Sequence, residues 1–239
     1  MIKAVILAAG KGTRMKSDKP KVVHQALGKP MVYYSIKAAK DAGAEKVCVI
    51  VGYKADEVKA CITEDVVYAL QEQQLGTGHA VKCAADFIGN TGDVIILCGD
   101  TPLITGATLK KALDGHQADK NGVTVISAVL ENPFGYGRII RDEKGLSKIV
   151  EEKDANESER QVQEVNSGMY IFKADALMKA LSMISNDNAQ GEYYLPDTIE
   201  RIKDMGLKVD AIPMENVDEI RGVNTLEQLA EAEEIMRNR

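Results

Sequence analysis

The sequence predicts an α/β fold: a mostly parallel sheet with helices on both faces. Three observations predict it. Lys3 to Ala8, Lys46 to Gly52 and Asp93 to Cys98 are apolar at consecutive positions after a charged first residue, the pattern of strands buried on both sides. Segments of helical periodicity separate them, as parallel strands require. Glycine-bearing loops follow the first and third runs, and in such sheets ligands bind beyond the carboxyl ends of the strands.

The elements follow in order. After the first strand and its loop, Pro30 is suited to a helix start, Met31 to Ala42 is periodic, and Gly43 is a stop. Beyond the Lys46 strand, Ala55 to Ile62 reads as helix, Val66 to Leu70 as a short strand and Gly78 to Ile88 as an amphipathic helix. The Asp93 strand ends in Gly99 and Asp100. Leu109 to Leu113 belongs to a helix and Val123 to Leu130 to a strand. Arg138 to Arg141 and Leu146 to Glu151, joined at Glu143-Lys144-Gly145, predict a hairpin. Asp154 to Gln163 reads as an exposed loop or short helix, and Val165 to Phe172 as a strand. Helices are predicted over Asp175 to Ile184 and Tyr193 to Met205, a strand over Lys208 to Pro213, and a charged helix from Leu226. No linker, repeat or low-complexity tract interrupts the 239 residues, which suit one large domain or two intimate halves.

Composition narrows the function. A net charge of -6 argues against nonspecific nucleic-acid binding, which needs excess Lys and Arg. Cys48, Cys61, Cys83 and Cys98 form no CxxC pair, so they are expected to be reduced and packed as small hydrophobes. The start of the chain lacks the pattern of a signal peptide and no run would span a bilayer. A cytoplasmic location away from membranes is expected.

Three segments carry chemistry. In the first, Leu7-Ala8-Ala9-Gly10-Lys11-Gly12-Thr13-Arg14, small residues let backbone N–H groups approach an anion, and Arg14 and Lys21 can reach the same anion. The loop is not a P-loop, because Lys11 precedes the second glycine. Nor is it a dinucleotide fingerprint, because Met15 stands at the third glycine position. The second segment, Gln71 to His79, offers a side-chain amide for a base edge and the exposed amides of Gly76 and Gly78. Read as ordinary structure, it is a turn capped by Thr77, with His79 packed rather than acting as a base. The third is Asp100, placed to hold Mg²⁺ beside phosphates, or else to cap the helix near Thr105. Further on, Tyr136-Gly137-Arg138, Glu151, Asn166 and Asn186 to Tyr194 supply polar groups suited to a sugar. Glu151, Glu152 and Lys153 also read as a solvated charged run.

Together these segments resemble the uridylyltransferase domain of the bacterial bifunctional N-acetylglucosamine-1-phosphate uridylyltransferase / glucosamine-1-phosphate acetyltransferase family. The matching stretches run in order from Leu7 to Asn224 and include LAAGKGTRMKS, KPKVVH, QEQQLGTGHAV, LCGDTPLI, NPFGYGRIIR, IVEEKDA, EVNSGMYIF, NDNAQGEYYLPD and GVN. The first marks only the superfamily of sugar nucleotidyltransferases; QLGTGHAV, GYGRI and NAQGEYY are more specific.

The resemblance implies a Rossmann-like nucleotide half (1–105) and a sugar-phosphate half with the C-terminal helix (106–239), built on one mixed sheet within one domain. It implies UTP and N-acetylglucosamine 1-phosphate as substrates, with Mg²⁺. By position, Leu7, Ala8, Ala9, Gly10, Gly12, Lys21, Gln71, Gly76 and Thr77 are expected to bind the nucleotide. Thr77, Gly137, Glu151, Asn166 and Asn224 are expected at the sugar, and Asp100 and Asn224 at the metal. Arg14 and Lys21 are the expected catalytic cations. The sequence departs from the family at Thr225 and Leu226, where Asn or Asp and then Arg are usual. The chain also stops short of the family's acetyltransferase β-helix, so no β-helix-driven trimer is expected. Two rivals remain. One is a transferase for another sugar phosphate, such as glucose 1-phosphate. The other is a non-catalytic sugar-nucleotide-binding regulator, which would be expected to lose Arg14, Lys21 or Asp100. A nucleic-acid module ranks below both.

Overall fold

Strand β1 (Ile2–Ala8) explains why the sheet is covered twice. Its side chains alternate, so Val5 enters the apolar cluster on one face while Ala4 and Ile6 enter the other. A computed structural model describes the whole chain, Met1 to Arg239. After β1 come a loop with 3₁₀ turns at Thr13–Met15 and Lys21–Val23, and the two-residue strands β2 (Gln25–Ala26) and β3 (Lys29–Pro30). Then follow α1 (Met31–Asp41), β4 (Lys46–Val51), α2 (Ala55–Cys61), β5 (Val67–Leu70), α3 (Thr77–Cys83), α4 (Ala85–Ile88) and β6 (Asp93–Cys98). The second half contains α5 (Gly106–Ala118), β7 (Val123–Val129), the hairpin β8 (Arg138–Asp142) and β9 (Gly145–Val150), and α6 (Glu157–Arg160). It ends with β10 (Glu164–Lys173), α7 (Ala174–Leu181), α8 (Thr198–Asp204), β11 (Val209–Pro213) and α9 (Leu226–Arg237).

The main sheet has the order β11-β7-β10-β6-β1-β4-β5. Strand β1 runs parallel to β4 and β6, and β4 runs parallel to β5. Strand β10 runs antiparallel to both β6 and β7, while β11 is parallel to β7. The sheet is therefore mixed, and the hairpin β8–β9 hangs from β10. Strands from both sides of position 105 share it without a break. Helices α1 and α5 bury Val32, Ile36, Leu109 and Leu113 on one face; α3, α7 and α8 bury Val81, Leu177 and Ile199 on the other. Each such side chain contributes about 1.5–3 kcal/mol on leaving water. No helix is long and apolar enough to cross a membrane.

Two predicted helices differ. The helix expected over Gly78 to Ile88 is broken at Ala84, and nothing in the local sequence marks the break. The helix expected from Tyr193 starts at Thr198, after a 3₁₀ turn over Leu195–Asp197. Pro196 disfavours helix at the residue before it. Tyr193 is meanwhile bound to the second loop: its N–H donates to Leu75 O and its carbonyl accepts from Gly78 N, both at 2.8 Å.

Candidate active site

The site lies at the carboxyl edge of β1, β4 and β6. Beyond β1, the backbone N–H groups of Ala9 to Arg14 donate to no backbone carbonyl. The turn holds its shape because Gly12 sits at φ 65°, and a Cβ there would lie 2.5 Å from Lys21 Cβ. Small residues thus bring the Lys21 segment against the loop and leave the amides for a ligand.

Four side chains meet beside these amides. Lys21 Nζ forms an ion pair with Asp100 and donates to Asn224 Oδ1 at 2.9 Å; Arg14 Nη2 donates to the same oxygen at 2.8 Å. Asp100 does not cap the following helix. That task falls to Thr105, whose hydroxyl accepts from Thr108 N at 3.2 Å. Instead the Asp100 carbonyl accepts from Val223 N at 2.8 Å and fixes the last loop to the end of β6. The N–H of Asn224 is tied at 2.7 Å to Gln228 Oε1 in the first turn of α9. One carboxylate and one amide oxygen therefore converge on the Lys21 ammonium, and the amide oxygen also meets Arg14. Hard oxygen donors of this kind suit a divalent ion that takes its remaining ligands from phosphate and water.

Two cavities of about 210 Å³ flank Leu7 near the carboxyl end of β1. The first is bounded by Ala9, Gly10, Gln71 and Gly76, the second by Gly137, Glu151, Asn166 and Tyr170; Leu7 and Thr77 line both. Gly76 has φ 110°, and a Cβ there would lie 2.5 Å from Tyr193 O, so no other residue fits. Thr77 is not the helix cap. Its hydroxyl accepts from Leu195 N at 3.0 Å and joins the two cavity walls. Gly137 O accepts from Asn166 N at 2.8 Å, and Asn166 Nδ2 donates to Tyr170 OH at 2.7 Å. Burial pushes the Glu151 carboxyl upward, with further help from the carboxylates of Asp154 and Asp197 and opposition from Arg138. Glu151 is therefore no free surface acid. Glu152 is half-buried and pairs with buried Arg138 at 2.7 Å.

The structure thus gathers Arg14, Lys21, Asp100 and Asn224 at one point, and Gln71, Gly76 and Thr77 around one cavity. Ala8 stands apart: its side chain is buried in the core, on the α1 face. Sequence reasoning missed Cys98 and Tyr170, which line the second cavity. The available signal was Gly168 inside a strand pattern, which marks a bulge. The β7–β10 register does shift between Asn166 and Met169, and Gly168 has φ 77°. Burial pushes the Cys98 thiol up to about 12, so it is no nucleophile at neutral pH.

Free amides and paired cations gather on the rim of a doubly covered α/β sheet, an arrangement suited to an anionic ligand. The family follows from the sequence: the nucleotidyl transferase profile matches residues 3–217, and the chain belongs to that family. It is 54% identical to the bifunctional protein GlmU of Thermoanaerobacter pseudethanolicus over 98% of this chain and 51% of that protein. It is 50% identical to GlmU of Clostridioides difficile over 99% of this chain and 52% of that protein. The chain thus spans about half the length of these curated relatives. Among solved structures, a UDP-glucose pyrophosphorylase complexed with UDP-glucose superposes with a TM-score of 0.77 at 20% identity, covering 100% of this chain and 99% of that one. A putative glucose-1-phosphate thymidylyltransferase from Bacillus anthracis gives 0.78 at 18% identity, covering 100% and 96%. At such identities the likeness is one of fold.

Proposed function

We propose that this chain transfers UMP from UTP to N-acetylglucosamine 1-phosphate and releases pyrophosphate. The observation that carries this reading is the Arg14–Lys21–Asp100–Asn224 cluster on a rim that also bears two cavities sharing Leu7 and Thr77. Identity of about half the residues with GlmU proteins supports the choice of substrates. Residues 1–105 form the nucleotide half and 106–239 the sugar-phosphate half.

In this reading Gln71 and Gly76 hold the base, and the amides of Ala9 to Gly12 receive the phosphates. Glu151, Asn166 and Gly137 hold the sugar, with Thr77 between the two substrates. An oxygen of the sugar phosphate attacks the α-phosphorus of UTP. A new O–P bond forms as the bond to the β-phosphate oxygen breaks. No protein nucleophile is needed, because the attacking phosphate is already anionic. The residues act by positioning and charge neutralisation. Arg14 and Lys21 stabilise charge growing on the departing pyrophosphate. Asp100 and Asn224 would hold a magnesium ion, which supplies neutralisation of the phosphate oxygens when bound.

The test is pyrophosphate release by the purified chain with UTP and Mg²⁺, comparing N-acetylglucosamine 1-phosphate with glucose 1-phosphate. Preference for the N-acetylated sugar is expected. Preference for glucose 1-phosphate, or no release with either, rejects the assignment.

A further inference from the structure

Gln71 is buried, and its amide is held by two neighbours. Nε2 donates to Gly76 O at 3.1 Å and lies 3.1 Å from His79 Nδ1. A backbone carbonyl can only accept, so the NH₂ end of the amide must face Gly76. The His79 nitrogen beside that NH₂ must then accept, which puts the ring proton on Nε2. Both Nε2 hydrogens are thereby used within the chain. Oε1 is the hydrogen-bonding atom that remains to Gln71 for a ligand in the cavity it lines. Gly76 lines the same cavity, and its N–H has no backbone acceptor.

We propose that His79 is a positioning residue for base selection. Its Nδ1 keeps the Gln71 amide from turning over, so the cavity offers an acceptor next to the Gly76 donor. That pair complements a pyrimidine edge with a ring N–H beside a carbonyl, as in uracil and thymine. It opposes a bare ring nitrogen, as in cytosine, because two acceptors would then face each other. The proposal rests on the uridylyl-transfer reading and adds to it the residue that fixes which way Gln71 reads.

The experiment compares wild type, His79→Leu and His79→Asn with UTP and CTP at saturating sugar phosphate. UTP binding is measured separately by calorimetry. His79→Leu should raise the KM and Kd for UTP about tenfold and leave kcat within about twofold. The ratio of kcat/KM for UTP over CTP should fall about tenfold or more. His79→Asn, whose Oδ1 can accept from the amide, should recover most of both losses. An unchanged ratio in His79→Leu, or equal losses in both variants, overturns the role. Should His79→Leu not fold, nitrogen NMR of the wild-type imidazole decides: the Nε2–H tautomer is required, and an Nδ1–H tautomer rejects the proposal. A wild-type protein that does not favour UTP over CTP rejects the uridylyl reading, and this role with it. Normal preference in both wild type and His79→Leu rejects the His79 role alone.

Discussion

Lys21 and Asn224 stand 203 positions apart in the chain and meet through a 2.9 Å hydrogen bond from Nζ to Oδ1. The same oxygen accepts from Arg14. The first loop and the approach to the last helix are thus closed on one another at the rim of the sheet. Two cations share one neutral acceptor, and Asp100 balances only one of them, which leaves positive potential for a polyanion.

Arg14→Ala and Lys21→Ala should therefore each reduce turnover about a hundredfold, the loss of ~3 kcal/mol of transition-state stabilisation. The Kd for UTP should change much less, because the charge these residues meet grows as pyrophosphate leaves. Single-turnover kinetics with calorimetric UTP binding separate the two effects. Near-normal turnover in either variant removes that residue from the chemistry.

Asp100→Ala tests the metal pair. The contact that holds the neighbouring loop is made by the Asp100 backbone carbonyl to Val223 N at 2.8 Å, so the substitution removes the carboxylate and spares the anchor. Activity should disappear at every magnesium concentration. A magnesium titration that restores wild-type rates would falsify the assignment of Asp100 as a ligand.

Thr225, where the resemblance leads one to expect Asn or Asp, occupies the N-cap of α9, and its hydroxyl accepts from Gln228 N at 3.2 Å. Asn and Asp cap at least as well as Thr, so the cap itself is preserved. Leu226 is the first residue of the helix and is exposed. Thr225→Ala should cost about 1 kcal/mol of stability while Thr225→Asn costs almost nothing. Urea unfolding measures both, and equal losses would show that the cap contributes nothing.

Much of this architecture was readable in advance, for identifiable reasons. Strands β1, β4 and β6 declare themselves because burial on both faces leaves polar residues, Lys3, Lys46 and Asp93, only near their starts. The direction of β10 does not, because an apolar run reads the same whether its neighbours are parallel or antiparallel. Arg14, Lys21 and Asp100 stand out because charge beside glycine loops is unusual in a buried sheet. The sequence suggests only a packed His79, and its contact with Gln71 depends on how α3 turns back against the second loop. Gln228 was likewise hidden, since a glutamine in a charged helix gives no sign that it holds the Asn224 backbone. Such relations come from tertiary packing and have no local signature.

Asp197 gives the protein a pH response of definite sign. Burial, followed by repulsion from Glu200, pushes its carboxyl up to about 6 from the ordinary 3.8, and Arg201 opposes the shift. Between those two values the folded chain binds the proton more tightly than the unfolded chain. Its contribution to stability is fully present below the unfolded value and is lost as pH rises through about 6. Asp197→Asn cannot ionise and keeps the shape of the acid. The variant should melt at a higher temperature than wild type at ~pH 7.5, where the parent must hold a half-buried charge. Near ~pH 4 the two should converge, because the parent is then protonated in the folded state. Thermal melts of both proteins across that range check the prediction. A gain that is constant with pH, or that grows on acidification, would show that the Asp197 carboxyl is not held above its ordinary range.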